Sequence, residues 1–452
     1  MAEIVPFRAY RYNPERVELF QAVTQPYDKI TPDMQEKYYA ASPFNLIAVE
    51  KGKARPEDSP TDNVYTRAAS TLEEWIAAGV LLRDSVPAVY AYFQEYIVPG
   101  SGSPGAFSAG GARRTRKGFI AVGRVEDYSA GVIFRHEQTL AGPKADRLEL
   151  LRHTRTHTGQ LFMLYTDPAR RVDALLGGAA QAKPVGEVRD EYGVVHKLWP
   201  ITDAETLATI ARAMADQRLV IADGHHRYET ALAYRNECRA RAASADRNAP
   251  HEFAMMTLFN TDVEGLTILP THRVIAGVAD FSFAKFCAEL QPIFEWRAYR
   301  FANAKERDRS WKKFRADLET NGETRPTIGI YAGDGAFHLF LLRSGANLDA
   351  LLPGVSPAQR RLDVVLLHRL ILERGLGITA DAVTRERNLA YEREADAAIA
   401  AVESGRAQLC CLLNAIPVGR VAEIALAGEV LPQKSTDFYP KLLSGLTLYR
   451  LE

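Results

Sequence analysis

Five consecutive residues, Asp223-Gly224-His225-His226-Arg227, place four chemically active side chains around one glycine. Leu219 to Ala222 ahead of them read as a strand, and from Tyr228 onward the composition forms helix, so the five sit at a strand-to-helix junction. Free amide N–H groups and the positive end of the helix dipole point out of such a junction, which suits a phosphate. Gly224 lets the backbone approach closely. Arg227 can add a bidentate contact to phosphate oxygens, His225 and His226 can hydrogen-bond or move a proton, and Asp223 can hold a magnesium ion. The competing reading is a helix start in which Asp223 caps the amides and both histidines are exposed.

A second segment, Val132 to Leu148, ends a strand near Phe134 and then presents Arg135, His136, Glu137, Lys144, Asp146 and Arg147. Glu137 can serve as a general base if partly buried; otherwise this is a solvated loop with weak surface ion pairs. His153 and His157, four apart, are expected on one helical face as a polar surface pair. Asp28 stands in a Pro-directed turn, Thr24 to Ile30. His272 and Arg273 follow a strand-like stretch, where a structural role is at least as good a reading as a catalytic one. Pro brackets a C-terminal loop holding Lys434, Ser435, Thr436 and Lys441, which excludes a helix interior and suits an anionic ligand.

The elements that must position these groups alternate without a repeat. Ala88 to Val98 and Gly118 to Val125 are rich in β-branched and aromatic residues and are expected to pair as a hairpin, interrupted by a flexible insertion over 99–117. Asn63 to Val80 and Ala204 to Gln217 read as helices, Phe253 to Phe259 and Leu409 to Leu413 as buried strands, and Asp363 to Leu372 and Val421 to Ala427 as helices. The chain is therefore read as α+β and multi-lobed: an N-terminal region over 1–200, a phosphate-binding segment over 201–280, and a C-terminal region over 281–452. For 452 residues, about three domains is the ordinary expectation.

Composition removes several classes. Lys and Arg total 56 and Asp and Glu total 56, so no overall positive field draws nucleic acid or an anionic membrane surface. No apolar run approaches the roughly 20 residues that span a bilayer. The charged N-terminal stretch (Glu3, Arg8, Arg11, Glu15, Arg16, Glu18) argues against a secretory leader, so a cytoplasmic chain is expected. The four cysteines form no Cys-x-x-Cys pair, which excludes structural zinc and a disulfide framework; Cys410 and Cys411 read as core. No Gly-x-Gly-x-x-Gly, Gly-x-Ser-x-Gly or protein-kinase pattern is present.

Six motifs together resemble the domain of unknown function 1015 family: Ile4 to Arg8, Gln25 to Ile30, His136 to Thr139 with Gly142 to Lys144, Ala222 to Ala231, Leu269 to Arg273, and Pro432 to Thr436 with Phe438 to Lys441. The Asp-Gly-His-His-Arg stretch is similar to the phosphate-binding signature of the ParB and sulfiredoxin superfamily, which includes free-serine kinases, and so implies a ParB/sulfiredoxin-like core. The resemblance implies phosphoryl transfer from pyrophosphate, ADP or ATP, with magnesium, to the hydroxyl of free L-serine. In that scheme Asp223, Gly224, His225, His226 and Arg227 hold donor phosphates and Asp223 the metal. Lys144, Lys434, Ser435 and Thr436 bear on the donor, and Glu137 or Asp28 takes the proton. His225 stands where sulfiredoxin needs a cysteine, which weakens that activity. A non-catalytic nucleotide or phosphometabolite sensor and a phosphatase are the alternatives, and self-association is left open.

Overall fold

The computed structural model describes residues 2–99, 111–137, 142–242, 244 and 246–452. These fall into two compact units. The first combines the chain up to Val98 with Gly111–Thr267 and Pro440–Glu452, and the second is Ile268–Tyr439. Three successive regions were expected. The boundary placed near 200 instead falls inside the first unit, because the strands on either side of it enter one sheet. No helix among the described residues is long and apolar enough to cross a membrane.

The first unit is built on a mixed sheet of nine strands among the described residues. In chain order they are β1 (Ile4–Val5), β2 (Val89–Ile97), β3 (Arg113–Arg124), β4 (Ile133–Arg135), β5 (Leu161–Tyr165), β6 (Gly186–Arg189), β7 (Val195–Ile201), β8 (Leu219–Asp223) and β9 (Phe253–Asn260). Across the sheet they run β4-β8-β5-β9-β3-β2-β7-β6, with β1 on β3. The expected hairpin is β2 against β3, with Tyr90 opposite Ile120 and Ile97 opposite Arg113. Of the expected insertion, 113–117 belong to β3, and 100–110 lie outside the described residues.

Helices cover the sheet where the sequence put them. Helix α1 (Val64–Ala77) starts at a capping box, in which Asn63 accepts from the amides of Tyr65 and Thr66 while the Thr66 hydroxyl closes back on Asn63. It ends at Gly79, whose φ of +67° is the left-handed stop. Helices α2 (Gly142–Thr154), α3 (Arg171–Ala179), α4 (Ala204–Ala215) and α5 (His225–Arg241) are further helices of the first unit. Ion pairs tie α2 to α5: Lys144 to Glu229 at 3.3 Å and Arg152 to Glu237. The His153 and His157 pair does not share a helical face. Thr154 ends α2 and Arg155 turns left-handed (φ +48°), so His153 stacks on Tyr65 while His157, on an extended pair with Thr156, stacks on Tyr449.

In the second unit all strand pairs of a six-stranded sheet are antiparallel: β10 (His272–Ile275), β11 (Phe294–Arg300), β12 (Thr327–Tyr331), β13 (Ala336–Leu342), β14 (Leu389–Glu392) and β15 (Leu409–Leu412). Cys410 and Cys411 are fully buried in β15, and burial pushes the Cys410 thiol up to about 12, so both act as small apolar groups. His272 and Arg273 are structural. His272 Nδ1 accepts from the Leu413 amide at 3.2 Å, and Arg273 donates to the carbonyls of Thr271 and, at 3.0 Å, Lys434.

A buried cation helps hold the C-terminal segment on the first sheet. Arg116 is 1% exposed and lies between the rings of Phe162 and Phe259, at 4.6 and 4.7 Å. Its Nε donates to Gln94 Oε1 at 2.9 Å and an Nη to the Pro440 carbonyl at 2.5 Å, while Gln94 Nε2 donates to the carbonyl of Lys441 at 2.9 Å. Arg116→Ala leaves the Pro440 carbonyl and Gln94 Oε1 without this donor and opens a cavity, so urea unfolding should show a loss of about 3 kcal/mol.

Candidate active site

The chemistry of the Asp223 turn rests on how β8 ends. Strand β8 pairs parallel with β4, Ile221 opposite Arg135, so both chains leave the sheet at the same edge. Its register against β5 shifts between Ile221 and Asp223, an irregularity that turns the last residue away from the pleat. Gly224 then takes φ +91°, and α5 begins at once with His225. The helix starts three residues earlier than composition suggests, because His225, His226 and Arg227 fill its first turn, where unpaired amides favour an anion. Asp223 does not cap them; the N-cap is Gly224, with no side-chain hydrogen bond. Only glycine suits this position twice over: φ is positive, and a Cβ would stand 3.1–3.2 Å from the Arg227 guanidinium.

Three cations gather on Asp223. Arg227 Nη2 lies 3.5 Å from its carboxylate and Lys441 Nζ 3.6 Å, and Lys29, from the 3-10 turn Tyr27–Lys29, adds a third positive field. Burial by itself would raise the Asp223 pKa, but Lys441, Arg227 and Lys29 outweigh it and hold the carboxyl well below the usual range. Arg227 is fixed from the far side by donating Nη1 to the Gln160 carbonyl. Its Nε is buried and makes no hydrogen bond. Gln160, 1% exposed, also donates to the carbonyl of Leu443, so the C-terminal segment and Arg227 share one anchor.

Beside this charged group sits a neutral one. His136 is fully buried and donates Nδ1–H to the carbonyl of Ile221 at 2.6 Å, which leaves Nε2 as the unprotonated nitrogen. Burial lowers its pKa to about 4. Its ring lies 4.9 Å from that of His225, which burial and the neighbouring His136 push well below the ordinary value. His225 Nε2 is buried without a hydrogen-bond partner. Glu137 Oε2 lies 3.9 Å from His136 Nε2, and its side chain is 16% exposed.

The structure thus brings Asp223, Gly224, His225, His226, Arg227 and, through His136, Glu137 to one strand edge. Asp28 is exposed on its turn, and Lys144 is paired with Glu229. Lys434, Ser435 and Thr436 belong to the second unit: Lys434 is exposed with φ +55°, and Ser435 donates to the Pro432 carbonyl at 2.5 Å. The metal expectation does not fit. Among the described residues no three His, Cys, Asp or Glu side chains cluster as ligands, and Asp223 faces cations that already occupy its charge, whereas magnesium seeks uncompensated oxygens. Gln160 had no signal in the sequence, because nothing local shows that its carbonyl and side chain will meet Arg227 and Leu443.

Fold and site define an α+β protein with a cationic helix start. The chain belongs to the family described as a protein of unknown function, DUF1015, which matches residues 4–365. No curated protein matches it. Among solved structures it is similar to a conserved hypothetical protein from Pyrococcus furiosus, at 13% identity and a TM-score of 0.33 over 70% of this chain and 92% of that one. It is also similar to a free serine kinase in complex with AMP, at 11% and 0.33 over 70% and 89%. A third is SbnI with C-terminal truncation from Staphylococcus aureus, at 12% and 0.32 over 72% and 87%.

Neutral burial of His136 makes stability depend on acid. The unfolded histidine titrates near 6.5 and the folded one near 4. Between those values the unfolded chain binds more protons, so stability falls as pH drops through that window. His136 alone should cost about 2 kcal/mol between pH 7 and pH 5. Urea unfolding at the two pH values should show His136→Asn, whose amide can still donate to Ile221, losing that much less than the parent.

Proposed function

We propose that the chain is a small-molecule kinase that transfers a phosphoryl group from pyrophosphate or a nucleotide to the hydroxyl of free L-serine. The observation that carries this reading is the first turn of α5. Its amides, Arg227, Lys441 and Lys29 surround one point with positive charge, and phosphoryl transfer depends mainly on positioning and on neutralising charge over the transferring oxygens. Asp223 keeps Arg227 and Lys441 from repelling each other and sets their geometry. His225 offers a buried, unpartnered nitrogen to a donor oxygen.

The serine hydroxyl oxygen forms a bond to the terminal phosphorus of the donor as that phosphorus loses its bond to the bridging oxygen. The hydroxyl proton passes to Glu137, largely shielded just beyond the end of β4. O-phosphoserine and a donor shortened by one phosphate result. Magnesium enters as part of the donor complex, not as a resident ion of the protein.

Incubation of the full chain with L-serine and, in turn, the magnesium complexes of pyrophosphate, ADP and ATP, followed by phosphorus NMR, tests the proposal. Phosphoserine should form, and Arg227→Ala and Asp223→Asn should each lower the rate by on the order of 100-fold. Thermal stabilisation by a donor with no turnover would favour a sensor, and phosphate release from phosphoserine without any donor would favour a hydrolase; either outcome overturns the kinase reading.

A further inference from the structure

Behind the cationic helix start, in the first unit, lies a cavity of about 50 Å3 lined by residues that include Glu50, Arg147, Thr158, Arg227 and Thr230. Arg227 belongs to both places: it lines this cavity and lies 3.5 Å from Asp223. Whatever binds here is therefore held against the group assigned to the donor phosphates.

The lining is built from buried polar groups with capacity to spare. Thr230 is 4% exposed and its hydroxyl has no hydrogen-bond partner, which is destabilising for a buried polar group unless a ligand supplies the contact. Glu50 is 2% exposed. Its carboxylate can accept about four hydrogen bonds, and the contact it receives comes from the Thr158 hydroxyl. Arg147 gives its Nη1 hydrogen bond to the main-chain carbonyl of Glu50 at 2.8 Å and stands 3.7 Å from the carboxylate, while its Nε and Nη2 donate to Asp146 Oδ2 at 2.9 and 2.6 Å and orient the guanidinium. His157, also in the lining, stays neutral because burial lowers its pKa to about 4.

The charged groups of the lining are thus two guanidiniums and one carboxylate, with an unsatisfied hydroxyl on α5. A ligand carrying one anionic and one cationic group matches that set: its carboxylate meets Arg147 and Arg227, and its ammonium meets Glu50. Its own hydroxyl pairs with Thr230. Size narrows the choice. A water needs roughly 10–15 Å3 of such space, so a cavity of about 50 Å3 suits a small ligand.

We propose that this cavity is the acceptor site and that Glu50, Arg147 and Thr230 recognise a small zwitterionic hydroxy amino acid, with Arg227 shared between acceptor and donor. The inference deepens the kinase reading and rests on it only for the fate of the hydroxyl, because recognition of the amino acid is measurable without turnover.

Calorimetric titration of the full chain with L-serine, in the absence of any donor, is the test. L-serine should bind, glycerate (which lacks the ammonium) and L-alanine (which lacks the hydroxyl) should bind at least tenfold more weakly, and Thr230→Val and Glu50→Gln should each weaken L-serine at least tenfold. Titration of the same variants with pyrophosphate should change less than about twofold. A parent chain that does not bind L-serine overturns the assignment, as do variants with unchanged serine affinity or equal losses for serine and pyrophosphate. Thr230→Val keeps the side-chain shape, so a matched thermal midpoint separates lost recognition from lost folding. If phosphoserine never forms in the kinase assay but these shifts appear, the acceptor site stands and the transfer reaction alone falls.

Discussion

A single carboxylate is the countercharge on which the Asp223 turn is assembled. Arg227 and Lys441 approach it from a helix and from the returning C-terminal segment, and Lys29 adds its field from an N-terminal turn. Two like charges about 4 Å apart repel by about 4 kcal/mol at the effective dielectric of a protein surface, so three cations do not gather there unless an anion offsets them. Asp223 is that anion, and its depressed pKa expresses the same attraction. A phosphate arriving at the helix start adds negative charge where the protein still has positive charge in excess.

Backbone geometry makes the gathering specific. Parallel pairing of β4 with β8 sends two chains off the sheet at one edge, so His136 and Glu137 come to lie beside Asp223 and His225. The register shift at the end of β8 and the left-handed Gly224 then turn the chain sharply enough for α5 to begin one residue later. Two chemical environments result. Arg227, Lys441 and Lys29 form a charged side, while His136 and His225, kept neutral by burial, form a side that can donate or accept hydrogen bonds without adding charge.

The C-terminal segment is as much a part of this arrangement as the motif. Arg116, between two aromatic rings, and Gln94 hold the carbonyls of Pro440 and Lys441, and Gln160 joins Arg227 to Leu443. The cations around Asp223 and the cavity behind them are therefore supported by strands far apart in the chain.

Local chemistry was legible in the residues themselves. Asp223 to Arg227 announced a strand-to-helix turn because apolar β-formers end at a glycine, the β2–β3 hairpin was visible in its β-branched and aromatic runs, and the α1 helix was visible in the apolar spacing of Asn63 to Val80. These features depend on neighbours a few positions away, so sequence by itself determined them. What tertiary structure decided was partnership. Glu50, Gln160 and Arg116 gave no sign of a role, since a buried polar residue looks like an exposed one until the chain folds over it. Lys144 and Arg273 looked available for ligand, yet a salt bridge engages one and backbone carbonyls the other. The return of 440–452 to the first sheet, which delivers Lys441 to Asp223, is a contact across more than two hundred residues; no local preference encodes it, because it is stabilised only when both ends are already in place.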